Sequence, residues 1–240
     1  MLDDLPREEV HAVVDGAVAE LLAAAGVEEP PVDAIALAQR HLGLIVCLDR
    51  RQEQRGRAQR SGGSKQIYLR PEPTEERHQW TVAHEIGEHQ KSALLARLGV
   101  PPDRTAPMAG ESLANLFAYR LLVPTHWFAA DARACQYDLL RLKQRYRTVS
   151  HEVIAWRILD LPEPSVITVV DNDSVRRRRS NAWRVNRTLH AAEEECQRLV
   201  NAQAQPLTVR RDGWTVHGWP VHQADWKREI LRSVQDGELC

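Results

Sequence analysis

Two helical blocks, each stopped by proline, constrain this chain more than any other feature. The first opens at Thr74, Glu75 and Glu76, just after Pro71 and Pro73, and runs to about residue 98, with Pro101 and Pro102 beyond it. The helix dipole favours its acidic first turn, and proline, lacking an amide hydrogen, marks where it stops. The second block covers residues 111–122 and ends at Val123-Pro124. Inside the first lies Trp80-Thr81-Val82-Ala83-His84-Glu85-Ile86-Gly87-Glu88-His89, and Glu111 opens the second. Imidazoles and carboxylates gathered on two such helices are the raw material of a metal site.

In H-E-x-x-H, histidines at i and i+4 share a helix face and bind zinc, while the glutamate polarises a water. Here His84 and His89 are five apart, about 140° around a regular helix, and Glu88 stands in the fourth place. Three geometries follow. A one-residue bulge brings His89 onto the face of His84; or the helix stays regular and His84 pairs with Glu88; or Glu85 pairs with His89. A bulge loses one or two backbone hydrogen bonds, roughly 1 kcal/mol each. Structural zinc binding gives on the order of 10 kcal/mol, and such bulges concentrate at functional sites. Two imidazoles leave Glu85 free as base, so His84 and His89 are the expected ligands. Glu88 is the alternative ligand, or a partner to an imidazole N–H. The spacing resembles that of dipeptidyl peptidase III, whose zinc motif also carries an inserted residue. Glu111, 27 residues after His84, can complete a His₂Glu set and leave one position for water.

The rest of the chain frames these helices. Its 240 residues are 43% hydrophobic and 27% charged, with 32 basic and 33 acidic side chains, which describes a globular chain and excludes a polyanion-coating one. The acidic start has no basic-then-apolar leader pattern, no apolar run is long enough for a bilayer, and Cys47, Cys135, Cys196 and Cys240 lie far apart. A cytoplasmic, membrane-free protein is expected. Val10, Val14, Val18 and Leu21 recur at helical spacing within residues 1–30. Residues 44–48 and 66–70 are expected strands, with a polar loop containing Gly62-Gly63 between them. Residues 138–146 and 150–159 form a helical pair with helix-turn-helix spacing, expected to pack on the domain rather than to read DNA. Beyond 162, residues 166–170 and 207–210 look like strands and residues 226–234 like a final helix. Arg176 to Arg179 are expected in a solvated turn, and Trp183, Trp214, Trp219 and Trp226 in a small core. His217 and His222 are weak candidates as ligands.

Two blocks carry a family resemblance. Arg77-x-x-Trp80-Thr81-x-Ala83-His84-Glu85-x-Gly87-Glu88-His89 and Glu111-x-x-Ala114-Asn115-x-Phe117-Ala118-x-x-Leu121-Leu122-Val123-Pro124 resemble the ImmA/IrrE metallopeptidases, whose patterns are R-x-x-F-T-x-A-H-E-x-G-H and E-x-x-A-N-x-F-A-x-x-L-L-M-P. The resemblance implies an α+β, zincin-like metallopeptidase domain over residues 31–162 that includes the helical pair 138–159; the residues beyond it, 163–240, are expected to form a small C-terminal α/β tail. It implies Zn²⁺ held by His84, His89 (through the one-residue offset) and Glu111, with Glu85 as general base. It further implies a zinc endopeptidase cleaving an Xre-type helix-turn-helix repressor in a stress or mobile-element response, without direct nucleic-acid binding. An extended substrate is expected along an edge strand, Ile67-Tyr68-Leu69. Tyr68, Tyr119 and His126 are candidate oxyanion groups. The open alternatives are an impaired pseudo-peptidase and a DNA-binding regulator.

Overall fold

The computed structural model describes residues 5–51, 53, 56–61, 64–101 and 106–237. Gly62, Gly63 and Cys240 of the sequence reading lie outside them. The chain divides into two compact units, residues 1–131 with 144–150, and 132–143 with 151–240.

The first unit begins with α1 (Arg7–Ala24) and α2 (Ala34–Arg40). Asp33 caps α2 by accepting from the Ala36 amide at 2.9 Å. A three-stranded sheet follows, β1 (Ile45–Leu48), β2 (Gly56–Ser61) and β3 (Ser64–Leu69), and then α3 (Glu75–Arg97), α4 (Pro107–Leu122) and most of α5 (Thr125–Ala134). Buried Gln79 of α3 ties down the start of α2, accepting from the Ala34 amide at 2.7 Å and donating to Asp33 at 2.9 Å. On α4, buried Arg120 holds Asp15 of α1 and Thr125. Val14, Val18, Ile86, Leu94, Phe117 and Leu121 are among the buried side chains of this unit.

The sheet order is β1-β3-β2, with β1 parallel and β2 antiparallel to β3. Two expectations change here. The polar segment 50–65 contains β2, whose residues form a strand because they pair with β3 from Gly56↔Leu69 to Ser61↔Ser64. Ile67, Tyr68 and Leu69 are therefore not an edge: β3 is hydrogen-bonded on both sides and has no free ladder for a substrate.

In the second unit, the last turn of α5 and the start of α6 (Leu139–Arg145) join α7 (His151–Ile158), β4 (Val166–Asp171), β5 (Ser174–Ser180), α8 (Ala191–Gln203), β6 (Leu207–Arg211), β7 (Trp214–Gln223) and β8 (Trp226–Gln235). The sheet is antiparallel, ordered β5-β4-β8-β7-β6. Alternation along each strand sends side chains to two faces. Thr168, Arg178 and Ser233 reach Glu193 of α8 on one face, while Arg228 and Arg177 reach Glu152 of α7 on the other. Residues 226–234, expected as a helix, are the central strand β8. The units divide elsewhere than at 162–163 because the sheet recruits cover from upstream: Arg232 lies over Tyr137 and Arg228 pairs with Glu152. Among the described residues no helix is long and apolar enough to cross a membrane.

Candidate metal centre

The site lies between α3 and α4. At Gly87 the helices meet backbone to backbone, for a Cβ there would stand 2.8 Å from the Ala114 carbonyl oxygen. About two turns earlier in α3, Trp80 packs edge-on against Tyr119, ring centroids 4.4 Å apart. This close crossing carries the start of α4 over the middle of α3.

His84, Glu88 and Glu111 converge there, one donor atom from each lying within 4.8 Å of the others. His84 Nε2 is 3.6 Å from Glu111 Oε1. Asn115, one turn after Glu111, links the two: its Nδ2 donates to Glu111 Oε1 at 3.4 Å and its Oδ1 faces His84 Nδ1 at 3.2 Å. With the amide so oriented, His84 Nδ1 carries the proton and donates, and Nε2 keeps its lone pair for a cation. Glu88 Oε1 is buried and makes no hydrogen bond, while Oε2 accepts from Lys91 Nζ at 2.5 Å. A buried carboxylate oxygen without a donor is costly unless a cation completes it. The donor set of one imidazole and two carboxylates fits a divalent transition metal.

The bulge expected from sequence is not there. Residues 75–97 are regular α-helix throughout, so His84 and Glu88 share a face and His89 is turned away and exposed. The geometric reason is that an unbroken ladder keeps every backbone hydrogen bond, and Glu88 already supplies a donor at i+4. Glu85 neighbours that face and is half-buried. A Cβ on Gly56 would stand 3.1 Å from Glu85 Oε1 and 2.3 Å from Thr81 Cγ2, so glycine alone lets β2 pass beside the Glu85 carboxylate. Of the other candidates, Tyr68 donates to Gln66, Tyr119 packs on Trp80, and His126 is exposed beside Trp127. Sequence reasoning gave no role to Asn115. The signal was present, since Asn115 lies four residues after Glu111 and on the same face.

The basic run is structural. Arg176 pairs with Asp171, Arg177 with Glu152 and Arg178 with Glu193, and Arg179 lies over the Trp156 ring. These residues are in strand β5, not in the turn expected for them.

The Peptidase_M78 family, described as the IrrE N-terminal-like domain, matches residues 40–159, half of the chain. The chain belongs to this family. The IrrE-like match covers both α3 and α4 and runs through the helical pair, and it makes the chain a member of a metallopeptidase family. Among solved structures, a Mycobacterium tuberculosis transcriptional regulator shares the fold at TM-score 0.68 and 17% identity, covering 96% of this chain and 81% of that one. No curated protein matches it in sequence.

Proposed function

We propose that this IrrE-like chain is a metal-dependent peptidase, with His84, Glu88 and Glu111 holding the ion and Glu85 as general base. The observation that carries the reading is the convergence of those three donors, of which Glu88 also has one oxygen, Oε1, buried without a hydrogen bond. When bound, a divalent ion supplies Lewis-acid polarisation of a carbonyl and makes water more acidic. Glu85 takes the proton from the attacking water at its carboxylate and passes it to the leaving amine. Asn115 holds the His84 ring and Glu111 in place. An extended substrate adds to the outer edge of β2, which no strand among the described residues pairs with and which passes Glu85 at Gly56. Zinc is the ion we propose, although two carboxylates with one imidazole also suit manganese and iron. The substrate we propose is an Xre-type helix-turn-helix repressor, following the family resemblance; a fold shared with a transcriptional regulator supports a role in transcription.

A second reading has its own observation. With a single imidazole in the group and the Lys91 ammonium on Glu88, a non-catalytic regulator would need no ion at all. Metal content of wild type, Glu88→Ala and His89→Ala separates the readings, combined with cleavage of a peptide library by wild type and Glu85→Gln. The peptidase reading expects a stoichiometric ion that is lost with Glu88→Ala and kept with His89→Ala. Glu85→Gln should keep the ion and lose cleavage by about 10²–10⁴-fold. Loss of metal in His89→Ala instead would restore the bulged geometry, and no metal in wild type after zinc is supplied would favour the regulator.

A further inference from the structure

The face of the second unit's sheet away from α8 carries a polar hollow of about 700 Å³. Its floor is His217 and Trp219 of β7 and Arg232 of β8, and its wall is the turn between α5 and α6 with Tyr137 and Arg141. The register puts His217 opposite Arg232 and Trp219 opposite Ile230, so these side chains share one face.

Arg232 is the unusual group. It is only 6% exposed, yet among the described residues it pairs with no carboxylate. Its Nε donates to Ser165 Oγ at 3.2 Å, and its guanidinium carbon stands 4.1 Å over the Tyr137 ring. Burial lowers its pKa to about 10, which still leaves it charged at neutral pH. The Glu163 carboxylate acts on it only from a distance, without a direct ion pair, and a buried cation so weakly compensated is costly unless an anion joins it. Arg141, on the exposed rim, likewise pairs with no carboxylate among the described residues, whereas Arg133 is satisfied by Glu163 at 2.8 Å. The remaining acid of the wall, Asp138, is engaged by the Arg141 amide at 2.8 Å. The Tyr137 hydroxyl and the Glu163 carboxylate also line the hollow, and the Glu163 charge acts on both Tyr137 and Arg232. Gln136 and Tyr137 are consecutive left-handed residues, φ 55° and 62°, a conformation that non-glycine residues keep where surrounding structure demands it and that clusters at ligand sites.

We propose that this hollow binds a small organic oxyanion, a carboxylate or a phosphate, on Arg232 and Arg141, with the ligand body against Trp219 and Tyr137. The proposal is independent of the peptidase reading. Calorimetric titration at fixed ionic strength with inorganic phosphate, pyrophosphate and citrate tests it on the full chain. Wild type should bind at least one probe saturably, the preferred probe telling phosphate from carboxylate chemistry. Arg141→Ala, an exposed change, should weaken binding about tenfold or more, and Arg232→Gln should abolish it. If Arg232→Gln fails to fold, Arg141→Ala decides. No saturable binding by wild type in the millimolar range, or equal binding by wild type and Arg141→Ala, would overturn the proposal.

Discussion

Asn115 does at the candidate metal centre what none of the three donors can do for itself. Its two amide atoms reach in opposite senses, one to His84 Nδ1 and one to Glu111 Oε1, and so fix the tautomer of the first and the position of the second. Groups of this kind tune affinity without touching the ion. Asn115→Ala is expected to weaken zinc binding about 10–100-fold while leaving the thermal midpoint almost unchanged, as metal titration and a melting curve would establish. An unchanged affinity would remove Asn115 from the positioning role. At the same scale, Glu88 shows where reading single residues falls short. The preference for imidazole as a zinc ligand singled out His89, but a side chain's direction is set by the helical phase. A regular α3 places residue 88, not 89, beside His84.

The second sheet tells a similar story for elements. The hairpin turns carry a local signal that the sequence reading did not use: Asn172-Asp173 joins β4 to β5 and Asp212-Gly213 joins β6 to β7, all four residues at positive φ, as two-residue turns require. Helix α8 was harder to see. Its cap is His190, accepting from the Glu193 amide, and its buried stripe of Ala192, Cys196 and Val200 is narrow within a charged segment. The stripe lies close to β7, where a Cβ on Gly218 would meet Val200 at 2.7 Å and Cys196 Sγ at 2.8 Å. Glu193 is fully buried and accepts from Arg178, Thr168 and Ser233. Replacing it leaves the Arg178 guanidinium, itself only 7% exposed, without its carboxylate. Glu193→Ala should therefore destabilise the protein by about 3–5 kcal/mol, measured as a lower urea midpoint. A loss under about 1 kcal/mol would mean that Arg178 finds water or another acceptor.

For the molecule as a whole, the titration of the second unit sets an acid limit. Burial lowers the pKa of His217, with the Arg232 and Arg210 charges adding to it, and burial likewise lowers His190 against the opposing pull of Glu193. Both rings thus bind a proton less readily in the folded chain than in the unfolded one, where the ordinary value of 6.5 applies. Below that pH the unfolded state binds the additional protons, so stability is full above it and falls as pH drops through the window beneath. The Glu163 carboxyl, held below its usual range against the opposing effect of burial by the Arg133 hydrogen bond, extends the loss to lower pH. Melting curves between pH 5 and 8 should show a midpoint that declines below about pH 6.5. A flat profile would mean that these imidazoles titrate alike in both states.

The long helices, their proline stops, the His84-Glu85 and Glu111 candidates and the family they resemble could all be read from the residues of their own segments. Each rests on local physics, namely helical period, dipole and the missing amide of proline. Other properties depend on neighbours far away in the chain and emerge only on folding. The polar segment of β2 becomes a strand through pairing with β3, and that pairing in turn removes Ile67-Tyr68-Leu69 from the edge. Residues 226–235 form a central strand because β4 and β7 flank them, and burial on both faces erases the alternation by which a strand is recognised. The choice of Glu88 rests on the same ground. It is made by the Gly87–Ala114 crossing, which brings Glu111 to one particular face of α3, and only the donors already on that face can share a cation with it.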